Sequence, residues 1–448
     1  MTVKVVELND SAVRLADENG ILAQSPGFAL VDGKTIHLGD VAEQQARLKP
    51  TSSFNKYWHE LSMEPLPHDG PFRHSADIAH AHLNHLAESS GASGDVIFAV
   101  PGNFNQQQLA ILLGIARQTP LNPVGVVDSG LAAALAVADA EHVIYVDMQL
   151  HQVVLTCLAV LDGLARTESV VQVPGVGTQS FMDLMMQLTT GLFIKQSRFN
   201  PQHNAESEQQ LYNALPSWLQ QEANEQGSLV LELNSGGTAY SAKLPRQSLV
   251  SSLAPHYEKL EKQIAALGEG RATQILLNEK MAGMPGFRQA LSHYTDLVVL
   301  EPHALHRSCL TYHELIAGSD QGIRRVTSLP LDEARNQALS TRSGSREQPT
   351  HLLFANRAYP AAGLRLVNST ESRANGSGKA LLNLGVAGLP EQLGRIESSQ
   401  GRLILRDADA SLRVNGEAAQ REQTLALGDL IATADGAVQL NLIRVDAV

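Results

Sequence analysis

Val96 to Val160, VIFAVPGNFNQQQLAILLGIARQTPLNPVGVVDSGLAAALAVADAEHVIYVDMQLHQVVLTCLAV, is the stretch whose reading decides the fold. Val96 to Val100 is an apolar run closed by Pro101-Gly102, which reads as a buried strand. Gln106 to Arg117 places Leu109, Leu112, Leu113 and Ala116 on one helical face. A second apolar run, Val124 to Val127, ends at Asp128-Ser129-Gly130 and leads into an Ala-rich helix. Val143 to Asp147 and Val153 to Val160 are strand candidates separated by Met148 to Gln152. Strand, helix, strand, helix and hairpin make an α/β order with a mixed sheet.

The chain has 448 residues, enough for two or three domains. Hydrophobic residues are 43% and charged ones 18%, the balance of an ordinary globular protein. A net charge of −12 argues against a nucleic-acid or anionic-membrane surface, which needs clustered Lys and Arg. Cys157 and Cys309 sit in apolar surroundings and read as reduced core residues. Lys4, Glu7 and Asp10 interrupt any signal-like run, and no apolar run approaches the roughly 20 residues of a membrane span. A cytoplasmic location is expected.

The same residues carry a resemblance. Val100-Pro101-Gly102-Asn103-Phe104, then Asp128-Ser129-Gly130-Leu131-Ala132-Ala133-Ala134-Leu135-Ala136, then Asp147-Met148-Gln149-Leu150-His151-Gln152 follow one another here. They resemble the ATPase domain of the DnaK-type heat-shock chaperones, in the actin and sugar-kinase superfamily. That family shows Val-Pro-Ala-x-Phe, Glu-Pro-Thr-Ala-Ala-Ala-Leu-Ala and Asp-Leu-Gly-Gly-Gly-Thr. The resemblance implies an actin-like, two-lobed α/β domain of duplicated ribonuclease H-like halves over 1–325. The scaffold residues persist while the phosphate-contacting glycines do not.

The family's first phosphate hairpin, Asp-Leu-Gly-Thr-Thr, matches Glu7, Leu8, Asn9, Asp10 and Ser11, between strand candidates Val3 to Leu8 and Ala12 to Leu15. An Asn-Asp pair makes a tight turn, and a carboxylate repels a triphosphate unless a cation intervenes, so a structural hairpin is expected. Ser25 to Pro50 resembles the next family segment through Pro26, Gly39, Ala42, Gln45 and Pro50. Thr51 to Pro71 is too short for the lobe that carries the family's catalytic lysine, and Lys56 is only the nearest lysine. Gly175 and Gly177 remain as a glycine-rich loop able to cradle an anion at a helix start, with ordinary turn glycines as the alternative.

By an ungapped match, the adenosine-contacting helix places Pro216, Leu219, Gln220 and Ala223 where the family has Glu, Lys, Arg and Ser. Such a site loses hydrogen bonds worth about 0.5–3 kcal/mol each. Pro216 is expected to start or kink its helix. A strand at Leu229 to Leu233 and a long amphipathic helix at Gln247 to Ala266 follow. In Ile275 to Pro285 the family's two glycines and serine are Glu279, Lys280 and Met281. Asp128 and Asp147 remain as carboxylates able to hold a metal through water or to cap turns.

His80, His82 and His85 lie on one helix, with His82 and His85 on a shared face and a solvent-facing role expected. His303, His306, Cys309 and His313 fall at helical spacings, but four ligands cannot converge from one straight helix. No metal site is expected from either group.

Residues 326–349 read as a linker, with one short helix at Leu331 to Leu339. From 350 to 448, short apolar alternations separated by turn residues indicate an all-β sandwich. Arg395-Ile396-Glu397, Leu403 to Asp407, Val414-Asn415-Gly416 and Leu427-Gly428-Asp429-Leu430-Ile431 resemble a forkhead-associated domain. That family binds phosphothreonine through Arg, Ser and His. The corresponding positions here are Leu389, Pro390, Glu391 and Gln392, so phosphopeptide binding is not expected.

The resemblances imply a non-catalytic, pseudo-ATPase scaffold or adaptor with protein partners at both domains. Glu7, Asn9, Asp10, Ser11, Asp128, Asp147, Gly175, Gly177, Glu279 and Lys280 mark a vestigial nucleotide cleft, with no catalytic residue and no cofactor. The alternative is a DnaK-like switch that still binds ATP and Mg2+ through a non-standard pocket. A peptide-binding chaperone is a third reading, but the C-terminal module does not resemble that family's substrate domain.

Overall fold

A computed structural model describes residues 3–67, 70–220, 228–318, 322–331, 349–355, 357–369, 381–386, 389–399, 402–434, 436 and 438–445, without the side chains of residues 218–220 and 402. The chain is a mixed α/β protein that divides into two compact units, residues 1–336 and 337–448. Eleven α-helices occur among the described residues, and none is long and apolar enough to cross a membrane.

The larger unit is built on two six-stranded sheets that share the same order in five of their strands, the sixth lying at opposite edges. In the first, β1 (Lys4–Glu7), β2 (Val13–Asp17) and β3 (Gly20–Ser25) form an antiparallel meander. β1 also pairs in parallel with β7 (Gly94–Val100), and β7 with β8 (Leu121–Asp128). In the second, β9 (His142–Met148), β10 (Gln152–Leu161) and β11 (Leu164–Pro174) form the meander. β9 pairs in parallel with β14 (Thr273–Leu277), and β14 with β15 (Leu297–Val299). A short strand closes one edge of each: β16 (Arg325–Val326) on β8, β17 (Ser328–Pro330) on β11. A small sheet of β4 (Ala29–Asp32), β5 (Thr35–Leu38) and β6 (Ser53–Phe54) is inserted between β3 and β7, and a hairpin of β12 (Ser228–Ser235) and β13 (Thr238–Pro245) between β11 and β14.

The first sheet carries α2 (Ser75–Ser90) and α3 (Gln106–Ala116), and α1 (Asp40–Glu43) lies beside the small sheet. The second carries α5 (Thr178–Ser197), α6 (Ala205–Gln220), α7 (Arg246–Gly268) and the short α8 (Glu279–Ala282) and α9 (Phe287–Ala290). α4 (Ser129–Val137) packs against strands of both sheets and against α10 (Ala304–Thr311), which continues into α11 (His313–Ile316). That position explains its Ala-rich sequence. Residues 129–135 are all buried, and a helix surrounded by protein needs small apolar side chains all round. A Cβ on Gly130 would sit 2.7 Å from Thr156 of β10.

Several expectations change. The second strand runs Val13–Asp17 rather than Ala12 to Leu15. Pro216 does not start α6, which begins at Ala205 and continues through it; Leu211, Tyr212 and Leu215 are buried before it. The expected linker begins later than residue 326, because Val326 and Ser328–Pro330 are strand residues of the larger unit. The rest of that stretch up to 348, including the expected helix after Leu331, lies outside the described residues, as does Ala223.

Among its described residues the smaller unit has strands and no helix. One sheet has six strands and the other five, and a single apolar cluster including Leu352, Leu366, Leu393, Ile396, Leu405, Ile431 and Leu440 is buried within it.

Candidate functional site

Two hairpin turns of the larger unit meet end to end: Leu8–Ala12 between β1 and β2, and Gln149–His151 between β9 and β10. Asn9 Nδ2 donates to Asp147 Oδ1 at 2.7 Å and to Met148 O at 3.0 Å. Asn9 Oδ1 accepts from the Ser11 amide and hydroxyl at 2.9 and 2.7 Å, an Asx-type brace that fixes the turn. Asp10 Oδ1 accepts from the Leu150 amide at 2.6 Å. Gln149 Nε2 donates to Asp147 Oδ2 at 3.2 Å, and Lys280 Nζ to Ser11 O at 2.8 Å. Asn9, Asp10, Ser11, Asp147, Gln149 and Leu150 are all buried.

The start of α5 closes onto the same turn. The Thr178 amide donates to Gln149 O at 3.0 Å and the Gln179 amide to Leu150 O at 2.8 Å. The Gly175 amide donates to His151 O at 3.3 Å. Anion binding at a helix N-terminus depends on free amides, and these are taken by protein carbonyls. Gly177 is needed for that contact: a Cβ there would lie 2.5 Å from Leu150 O and from the Gln152 amide nitrogen. Gly175 has open space but a φ of +73°, which favours glycine for a turn.

The buried acids are held in different ways. Burial pushes Asp147 up to about 7, with Glu7 nearby adding to the effect. Burial also raises Asp10 to about 6, against the Leu150 amide. Asp128 Oδ1 caps α4, accepting from the Gly130 and Leu131 amides at 2.9 and 3.2 Å, while Oδ2 is buried without a hydrogen-bond partner. Burial raises Asp128 to about 6. For Glu7 burial acts upward but is outweighed by His306, with Arg14 and Lys280, so its carboxyl stays below the usual range. His306 Nε2 lies 3.0 Å and Arg14 Nη1 3.6 Å from Glu7 Oε2.

Glu7, Asn9, Asp10, Ser11, Asp147, Gly177 and Lys280 are therefore brought together, with Gly175 at the entry to α5. Asp128 serves as a helix cap, and Glu279 is exposed on α8. Met281, expected at a ligand position, is a fully buried core residue. The His303–His313 group does not converge: His306 turns to Glu7, and His313 Nδ1 to the Leu310 carbonyl at 2.8 Å. His82 is not solvent-facing. Trp58 Nε1, which can only donate, lies 3.0 Å from its Nδ1, with Tyr57 Oη at 2.8 Å, so Nε2 carries the proton toward Ser25 Oγ at 2.8 Å. Burial lowers His82 to about 3, so it is a neutral core residue.

A further set of contacts, invisible as a motif, ties residues 43–47 to α5 and α6. The Arg47 guanidinium pairs with Asp183, lies 3.8 Å from Glu208 and sits 5.1 Å above the Tyr212 ring. The Arg47 amide donates to Gln209 Oε1 at 2.6 Å, and Gln209 Nε2 to Glu43 O at 3.3 Å. Tyr212 Oη donates toward Glu43 Oε1 and Gln179 Oε1, each at 3.3 Å. A cavity of about 330 Å³ beside this latch is lined by Arg47, Asn55, Lys56, His151, Gln179 and Asp183, among others. Lys56 itself is exposed, 3.9 Å from Glu60.

In the smaller unit, Asn415 and Asp429 bond to each other. Asn415 Oδ1 accepts from the Leu430 amide at 2.9 Å, and its Nδ2 donates to Asp429 Oδ1 at 2.8 Å. Arg395 is engaged by Glu397 and Asp407, at 3.2 and 3.0 Å. No protein-family model and no curated protein matches the chain.

Proposed function

We propose that the larger unit is an actin-like, DnaK-type domain that has lost nucleotide chemistry and works as a docking body. The smaller unit, on this reading, is a forkhead-associated-like module without phosphothreonine ligands, offering a second protein-binding surface. The duplicated order of five strands in each sheet supports the first assignment, and the nucleotide cleft of such a fold would lie where their first hairpins meet. The observation that carries the functional reading is the filling of that cleft. Asn9 and Asp10 bond directly to Asp147, Met148 and Leu150, and the amides of Thr178 and Gln179 are spent on the same turn. A triphosphate would have to break these bonds while facing Asp10, Asp147 and Glu7.

Isothermal calorimetry with Mg-ATP and with ADP tests this reading. No heat of binding at millimolar nucleotide is expected. Micromolar affinity would replace it with the alternative, an ATP-binding switch whose pocket uses non-standard residues. A phosphothreonine-peptide array probes the smaller module, where no selective binding is expected; robust selection would show that the Leu389 to Gln392 assignment is wrong.

A further inference from the structure

The far end of the second sheet, at the opposite end of β9 from Asp147 and Met148, gathers a histidine, a thiol and a carboxylate that the cleft does not use. His142 on β9 and Cys157 on β10 are both buried, and His142 Nε2 lies 3.0 Å from Cys157 Sγ. Glu168 on β11 completes the group, its carboxylate, the imidazole and the sulfur all lying within 4.8 Å of one another. Among the described residues no other group of His, Cys and carboxylate side chains converges in this way. We propose that His142, Cys157 and Glu168 form a site for one soft divalent cation of the Zn2+ class.

Local backbone structure builds the site. β10 and β11 pair Cys157 with Ser169 but Leu158 with Thr167, so Glu168 is the extra residue of a β-bulge. A bulge re-aims one side chain of a strand, and here the re-aimed residue is the carboxylate. The imidazole tautomer is also fixed. Thr273 Oγ1 donates to Arg271 O at 3.1 Å, so toward His142 Nδ1, 2.9 Å away, it must accept. The ring proton therefore sits on Nδ1, and the Nε2 lone pair points at the sulfur. That outer hydrogen bond is the usual orienting contact of a metal-bound histidine.

The dimensions require only a small adjustment. Tetrahedral Zn2+, with Zn–S about 2.3 Å and Zn–N about 2.05 Å, sets the two ligand atoms about 3.6 Å apart. Opening the pair from 3.0 Å is a rotamer-scale motion. Binding replaces the thiol proton with the metal and releases it to solvent, and a water fills the fourth position on the exposed Glu168 side. The other charges facing the site are Arg166, 4.0 Å from Glu168, and the Arg271–Glu269 pair at 3.2 Å. The site is independent of the reading given to the cleft.

The full-length chain, stripped with chelator and desalted, is titrated with Co2+ and then Zn2+. One equivalent of Co2+ should raise a thiolate-to-metal charge-transfer band in the near ultraviolet, which Zn2+ bleaches, with release of about one proton. Cys157→Ser should abolish the band and Cys309→Ala, at the one other thiol, should keep it. Glu168→Gln is exposed and tolerated by the fold, and Thr273→Val leaves the ligands intact; each should weaken Zn2+ binding by about tenfold or more. Absence of the band at one equivalent overturns the proposal, as does a band that survives Cys157→Ser. Equal affinities in the wild type and Glu168→Gln would mark the metal as adventitious and also overturn it. Where Cys157→Ser does not fold, the Glu168→Gln comparison decides.

Discussion

Gly175 and Gly177 stand two residues apart and answer to different physics. At Gly177 a Cβ meets two backbone atoms at 2.5 Å, and backbone does not yield as a flexible side chain would. Gly177→Ala should therefore cost about 3 kcal/mol in urea unfolding, at the upper end for an added methyl in a packed site. Gly175 faces open space, so Gly175→Ala carries only the left-handed φ penalty of about 1–2 kcal/mol. Equal losses at the two positions would show that the contact between α5 and the β9–β10 turn is not tight. His82 teaches the converse lesson about single residues. Helical spacing alone does not reveal that Trp58, Tyr57 and Ser25 surround it, because those partners come from other elements.

Between elements, the residues that join 43–47 to α5 and α6 hold together parts distant in sequence. Arg47 is half-buried and Asp183 more exposed, so the ion pair alone is worth little. Its value lies in combination with the Gln209 and Tyr212 contacts. Arg47→Ala should cost about 1–2 kcal/mol by removing a charged, hydrogen-bonded partner. Backbone amides of residues 40–54 and of the first turns of α5 should then exchange faster with solvent, read by hydrogen–deuterium exchange. Unchanged protection would mean that the latch does not hold residues 40–54 against α5. None of this was legible beforehand, since an Arg, a Gln and a Tyr spread over 160 residues leave no local pattern. Strand periodicity and turn signals did reveal β7, β8, β9, β10 and the hairpin turn at 149–151. They act between neighbours in sequence. α6 starts before Pro216 because a proline exposed on a helix already anchored by Leu211, Tyr212 and Leu215 removes one hydrogen bond without ending the helix.

Across the whole molecule, three buried carboxyls give the larger unit an unusual pH response. Asp147, Asp10 and Asp128 have folded-state values near 7, 6 and 6, above their ordinary value of 3.8. The folded chain holds protons that the unfolded chain has released, so stability is fullest below about pH 4 for these groups and declines as pH rises through 6 to 7. Glu7 acts in the opposite sense, its contribution lost as pH falls through its lowered folded-state value. Asp128→Asn separates these effects: the amide oxygen can keep the α4 cap while the buried charge is removed. The variant should gain up to about 3 kcal/mol over the wild type at pH 8, keep about half of that at pH 5 and lose it below about pH 4, followed by thermal unfolding across this range. A difference independent of pH would show that Asp128 is not charged at neutrality.

The junction of the two hairpin turns is also interlocked. Each group there satisfies another: the Asn9 amide needs Asp147, the Leu150 amide needs Asp10, and the Thr178 and Gln179 amides need the carbonyls of Gln149 and Leu150. Glycine at position 9 or 10 would strip the partner from Asp147 or from the Leu150 amide. On the reading proposed above, opening a phosphate site here would require changes in several segments at once, each harmful alone. The junction behaves as a ratchet, and substitutions at positions 9 and 147 should be tolerated as a pair more readily than singly.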